Sequence, residues 1–242
     1  MLELYHQFIY QPLLNLLVWG YNSLPGHDIG VVIIVITFLV RLLLAPTMHK
    51  QIKSQHAMTK LQPKLDELKE RHKGDKEAHA KAMMDLYKEH KVNPLGSCLP
   101  LLIQLPILIA LYQVFQTALN GNLNGLYHSV YNPGSINPYF LGLVNLAKPN
   151  YVFAVLAGAL QFWQAKMMLN GQTKKPSDPT AKAIQMQTTY LLPVFSAVIA
   201  ATLPAGLPLY WIVTTLFAIG QQYYIMKQRP AEMSNSSTVI DV

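Results

Sequence analysis

Charge is what this chain has least of: Asp, Glu, Lys and Arg together make 13% of 242 residues, while hydrophobic types make 51%. A soluble globule of that size needs a polar coat that this composition does not supply, so a membrane class is favoured. Cysteine is nearly absent, and the single Cys98 cannot close an internal disulfide; within its apolar stretch it reads as a small buried hydrophobe. The first twenty residues lack the cationic start and small-residue cleavage site of a secretory signal. None of the long apolar runs contains Asp, Glu or His, which excludes a zinc site and serine–histidine catalysis inside them. The eight histidines lie in loops, the cytoplasmic connection or the N-terminal helix, without metal-ligand spacing. No metal, cofactor or enzymatic chemistry is therefore expected. The net charge of +7 comes from basic residues beside apolar runs, not from a basic polar face, which argues against nucleic-acid recognition.

What is present is apolar sequence in lengths of about 20 residues, the length a helix needs to cross a bilayer with its backbone satisfied internally. Five runs qualify: residues 29–45, 95–119, 151–169, 184–203 and 207–225. The expected fold is an all-α membrane protein with five transmembrane helices and a cytoplasmic helical hairpin. Pro204-Ala205-Gly206 makes a tight turn between the last two spans. Lysine and arginine set the direction, because cytoplasmic loops retain positive charge. Eleven of the 19 fall in the connection 46–94, four flank the loop 170–183, and two lie in the tail 226–242. Only Lys148, in the loop 120–150, falls on the other side, so the N terminus is expected outside and the C terminus inside. Residues 1–28 read as an extracytoplasmic interfacial helix and linker. Leu2, Tyr5, Ile9, Leu13, Leu16 and Leu17 share one face, Glu3, Gln7, Gln11 and Asn15 another, and Pro12 imposes a kink. The tail from Met233 is polar and expected to be disordered.

In the connection 46–94, Leu61, Leu65 and Leu68 repeat at helical spacing, as do Ala82, Met83, Leu86 and Tyr87, with Gly74 between the runs. Two antiparallel helices follow, with Pro63 at a helix start or kink. Two readings stand: a solvated connector, or a docking surface carried by Leu65, Leu68, Met83 and Leu86. The length favours the second, because a few residues suffice to join neighbouring helices.

Arg41 is the most informative residue. It lies about 12 residues into the first span, roughly 18 Å along at 1.5 Å per residue, so it is inside the hydrocarbon toward the cytoplasm. An arginine at a span centre costs about 2.5–3.5 kcal/mol on the lenient insertion scale, and no acid in any span can pair with it. Either the side chain snorkels to the interface, or it stands in a water-filled cavity as a presented charge. Polar residues in the spans favour the cavity: Thr37 one turn earlier, Gln104 and Gln113, Gln161 and Gln164, Gln187 and Thr188, and the face of Trp211, Thr214 and Thr215. Gln104 and Gln113 are about half a turn out of phase, so both line one groove only if Pro106 bends the helix between them.

The run Lys91-Val92-Asn93-Pro94-Leu95-Gly96-Ser97-Cys98-Leu99-Pro100-Leu101-Leu102-Ile103-Gln104-Leu105-Pro106 resembles the signature span of the YidC family. Leu61-Gln62-Pro63-Lys64, Met83-Met84-Asp85-Leu86-Tyr87 and Gly206-Leu207-Pro208-Leu209-Tyr210-Trp211 are similar to other family segments, and Arg41 occupies the place of the groove arginine. The resemblance implies a bacterial inner-membrane insertase whose helices enclose a hydrophilic groove. Its groove or substrate-contact positions would be Thr37, Gln104, Leu105, Leu108 and Trp211, the last where the family commonly carries tyrosine. The implied partners are nascent membrane proteins, the ribosome, the Sec translocon, signal-recognition targeting components and membrane lipids. The large periplasmic domain of many Gram-negative relatives is missing, as are the lipoprotein signal and cysteine of many Gram-positive ones, so the chain is expected to be naturally short or trimmed. The alternative is a small anion transporter or channel using Arg41; transporters of that kind show paired repeats with broken helices, and no such duplication is visible.

Overall fold

The computed structural model describes residues 2–72, 74–90, 99–169 and 179–236. The first part of the signature run, Lys91 to Cys98, lies outside the described residues, as do Lys174, Lys175 and the last six residues of the tail. The described chain is mostly helical. Helix α1 (Leu2–Tyr5) passes through a π-helical turn (His6–Tyr10) into α2 (Gln11–Ser23), followed by α3 (Ile29–Leu43), α4 (Ala45–Arg71), α5 (Lys76–Glu89) and α6 (Leu99–Ala118). A two-stranded antiparallel hairpin, β1 (Tyr139–Phe140) and β2 (Val144–Asn145), interrupts the long loop before α7 (Tyr151–Leu169). Helix α8 (Pro179–Met186) continues through a second π-helical turn (Gln187–Leu191) into α9 (Leu192–Ala200), and α10 (Gly206–Ser236) ends the described chain.

Both π turns have the same local cause. Each ends two residues before a proline, Pro12 or Pro193, whose ring crowds the carbonyl one turn back and which has no N–H to offer. Widening the preceding turn relieves the crowding without ending the helix. Helix α3 starts more conventionally: Asp28 Oδ1 accepts from Gly30 N at 2.8 Å and Val31 N at 3.1 Å, as an N-cap does. Asp75 caps α5 in the same way after a turn in which Gly74 has φ +95°. Helices α4 and α5 fold back on each other, with Lys64 Nζ 2.9 Å from His90 Nε2. Leu65, Leu68, Met83 and Leu86 are half-buried there, and Leu61 and Tyr87 are buried.

The main core joins the N-terminal helix, α3, α6, the loop before α7 and the start of α10. Leu14, Val18, Ile29, Val32, Val114, Ala118 and Leu146 are fully enclosed in it. The polar face of α2 is not free to face water, as its sequence pattern suggests. Asn15 is 4% exposed because the loop folds over it: its Nδ2 donates to Gly125 O at 3.1 Å, and its Oδ1 accepts from Tyr127 N at 2.7 Å. Gln11 Nε2 donates to the same Gly125 carbonyl at 3.0 Å.

Helix α7 is, among the described residues, the one helix long and apolar enough to cross a membrane; α3 and the segment Gln187–Ala200 are apolar but shorter. Large apolar side chains stand exposed on several helices: Phe38, Leu39 and Leu43 on α3, Val155 and Trp163 on α7, Val194 and Val198 on α9, and Leu216 on α10. An aqueous surface does not carry this much apolar area.

Helix α7 packs along α9 and α10, and Gly158 permits the closest approach. A Cβ there would sit 2.7 Å from Ala197 Cβ and 3.1 Å from the Pro193 carbonyl oxygen, neither of which can swing away. Gly220 has nothing within 4 Å. Gly158→Ala is therefore expected to destabilise the protein by about 1–3 kcal/mol. Gly220→Ala should be neutral or stabilising by up to about 1 kcal/mol. Thermal unfolding of the two variants in detergent checks this, and equal midpoints would remove the packing role of Gly158.

Candidate functional site

The last turn of α3 carries Arg41, and three helices supply its neighbours. Nη1 donates to Met48 Sδ on α4 at 3.2 Å; Nη2 donates to Gln104 Oε1 on α6 at 3.3 Å and to Tyr210 Oη on α10 at 3.5 Å. Gln104 Nε2 in turn donates to Tyr210 Oη at 2.9 Å. All of these partners are neutral, so among the described residues the guanidinium is solvated by dipoles and has no carboxylate partner.

This cluster forms the polar end of a cavity of about 1040 Å³. Thr37, 6% exposed and one turn before Arg41, lines it, as do Thr47 and Gln51 from α4. The rest of the wall is apolar. Ile33, Ile36 and Val40 come from α3 and Ile107, Leu111 and Phe115 from α6, while Phe8, Ile9, Leu13 and Leu16 close it from the N-terminal helix. Within α6, Gln104, Ile107, Leu111 and Phe115 are three or four residues apart, so helical periodicity puts them on one stripe.

Of the residues singled out from sequence, Arg41, Thr37 and Gln104 meet at this cavity. Leu105, one residue past Gln104 and about 100° round the helix at 3.6 residues per turn, points outward at 48% exposure. Leu108 and Trp211 are half-buried against the main core. Gln161 is half-buried in α7, and its shielded Oε1 has no hydrogen-bond partner among the described residues. Gln187 is exposed at the start of the second π turn. Gln113 is separated from Gln104, as their phase difference requires, and accepts from Tyr5 Oη at 2.9 Å instead. Burial, with the nearby Tyr10 hydroxyl adding to it, holds Tyr5's phenol above its ordinary pKa, so it stays a neutral donor.

Sequence reasoning missed Tyr210, Met48 and the N-terminal helix as wall. Tyr210 had a signal, since it directly precedes Trp211 on the same helix, and it is the phenol of position 210 that reaches Arg41. The apolar face of the N-terminal helix was legible too, but a single sequence does not say whether such a face meets lipid or protein.

The family described as 60Kd inner membrane protein matches residues 20–232. The protein of Magnetococcus marinus named Membrane protein insertase YidC is 39% identical over 229 residues, covering 94% of this chain and 37% of that protein. Its namesake in Geotalea daltonii is 39% identical over 223 residues, covering 91% and 38% respectively. The one in Fusobacterium nucleatum is 37% identical over 224 residues, covering 91% of this chain and 98% of its own length. The chain thus spans little more than a third of the first two relatives and nearly all of the third. A family match over most of the chain, and a relative matched almost end to end, place this chain in the YidC family of 60Kd inner membrane proteins.

Proposed function

We propose that the chain is a membrane protein insertase and chaperone, a multi-pass protein of a bacterial plasma membrane that makes and breaks no covalent bond. One observation carries the reading: an arginine held, among the described residues, by neutral groups, at the polar end of a large apolar cavity. The names of the relatives support it, since each is an insertase. Five membrane-crossing segments, N-terminus outside and C-terminus inside, fit the loop charges and the exposed apolar faces of α3, α7, α9 and α10.

In this mechanism a nascent hydrophobic segment with a short acidic or polar flank meets Arg41 from the cytoplasmic side. The flank displaces neutral partners at Gln104 and Tyr210, and the apolar part follows into the cavity. Desolvation of the flank is the barrier, and a fixed cation lowers it. Release into lipid is driven by burial of apolar surface at about 25 cal/mol per Å². Membrane potential adds roughly 2.3 kcal/mol per acidic charge per 100 mV, pulling the flank outward. Leu105, Leu108, Gln161, Gln187 and Trp211, away from the cavity wall in this structure, would belong to the path between cavity and lipid. An anion transporter would also use Arg41, but its cation would face a polar pathway, whereas this one stands at the end of a predominantly apolar, partly open cavity.

The α4–α5 pair is proposed as the docking surface for the ribosome, targeting components or the Sec translocon. Replacing residues 65–86 by a short linker should leave the remaining helices folded and impair insertion. Unimpaired insertion would make the pair a connector.

Orientation is tested by labelling intact cells with an impermeant thiol reagent, in a Cys98→Ser background. Asn122→Cys should react and Lys76→Cys should not; the reverse pattern would sink the topology.

The groove mechanism is tested with paired substrates, with and without an acidic flank, inserted into vesicles carrying Arg41 variants. Arg41→Lys should keep much of the activity, because charge matters more than the planar fork. Arg41→Ala should lower insertion of the acidic-flank substrate far more than that of the strongly hydrophobic one. Equal efficiency of Arg41→Ala on both would falsify charge attraction and leave the groove a purely hydrating role.

A further inference from the structure

The β1–β2 hairpin is built at some expense in backbone strain to display two leucines. In its turn Leu143 N donates to Phe140 O at 2.9 Å, and both intervening residues have positive φ, +52° at Leu141 and +70° at Gly142. Such turns favour Asn, Asp or Gly at both positions, and a γ-branched side chain at the first is an outlier. The strain is held by a charge-assisted bond: Leu141 N donates to Asp28 Oδ2 at 2.6 Å, while the other oxygen of the same carboxylate caps α3. Phe140 packs so closely on Gly30 that no Cβ fits there, and its ring meets Phe153 of α7 edge-on at 6.4 Å. The hairpin is thus fixed beside the starts of two apolar helices, α3 and α7, yet Leu141 is 63% and Leu143 82% exposed. Tyr139 and Tyr151 flank them, also exposed, and the apolar surface runs on through Val152 and Val155 of α7.

We infer that this hairpin is a lipid anchor: Leu141 and Leu143 insert into the outer headgroup–acyl boundary, with Tyr139 and Tyr151 at headgroup level. Lipid is the occupant because the exposed leucines continue the apolar face of α7, the helix long and apolar enough to cross a membrane. Tyrosines at the helix start suit the interface, where an apolar ring and a polar tip are both satisfied. Asp28 couples the two, setting the hairpin's depth by the same carboxylate that starts α3. The inference rests on α7 crossing the membrane, and the experiment separates the two.

The 242-residue chain, with Cys98→Ser, is labelled with an environment-sensitive fluorophore at Leu143→Cys, Val152→Cys or Ser135→Cys and reconstituted in vesicles. Lipids brominated near the headgroup and aqueous iodide serve as quenchers. Leu143 and Val152 labels should be quenched by bromolipid and protected from iodide, and the Ser135 label should show the opposite. A Leu143 label quenched by iodide, or by neither agent as under a covering protein segment, overturns the anchor while Val152 still reports lipid. Loss of bromolipid quenching at Val152 overturns the α7 reading itself. Leu141→Asn, which suits the positive φ, should raise the melting temperature in detergent; a lowered one would overturn the strain reading from which the display of the leucines is argued.

Discussion

The constraint on which the rest of this structure depends is the cost of keeping Arg41 charged without a carboxylate partner among the described residues. Every apolar run lacks acid, so the guanidinium must be solvated by dipoles. Three helices converge to supply them: α4 brings Met48, α6 Gln104 and α10 Tyr210. The same three helices, α3, α6 and α10, also meet in the apolar core, and the apolar residues one and two turns away on α3 and α6 line the cavity. The polar end and the apolar wall are thus built on the same helices.

The opposite end is secured by amides and one carboxylate. Asn15 and Gln11 hold the loop at Gly125, where φ is +101°, and Asp28 holds it again at Leu141. Backbone bonds from Ala205 N to Lys148 O and from Gly206 N to Leu146 O tie the same loop to the start of α10. A long connection needs such ties, because an unpaired backbone beside apolar helices would be costly. The loop becomes a lid over the core cluster, and the N-terminal helix is clasped beneath it as cavity wall.

Helix existence was legible in the sequence because apolar length is a strong signal: runs expected at 29–45 and 151–169 correspond to α3 (Ile29–Leu43) and α7 (Tyr151–Leu169). The run 184–203 also contained Pro193, whose effect, a π turn from Gln187, follows from ring sterics but has no sequence pattern of its own. Side-chain direction was harder to read. Thr37, Arg41 and Gln104 could be gathered by charge logic, whereas Gln161, Thr214 and Gln222 look equally polar on paper. They have shielded polar atoms without partners, in the two helices that pack on each other, and Gln222 is 1% exposed. Composition marks a residue as expensive in lipid; only helical phase decides whether it faces a cavity or a neighbour. The hairpin was invisible for another reason, since two-residue strands carry no periodicity and a leucine at positive φ contradicts the turn preferences used to find one.

The lengths of the Arg41 hydrogen bonds bear on how such a site can work repeatedly. A guanidinium paired with a carboxylate bonds at about 2.7–2.9 Å, often in two parallel bonds. Here the contacts are 3.2, 3.3 and 3.5 Å, to a thioether, an amide and a phenol. These suffice to keep the charge from being orphaned; on the mechanism proposed above, an incoming carboxylate would offer the arginine a charge-assisted partner that none of the three neutral groups is. A resident Asp or Glu would make any acidic flank compete with a partner already at optimal geometry. On that mechanism the exchange would also run backward when the segment leaves, with Gln104 and Tyr210, bonded to each other at 2.9 Å, placed to solvate the arginine again. On that mechanism the lack of acid in the apolar runs matters as much as the arginine, because a resident carboxylate would leave the site permanently occupied.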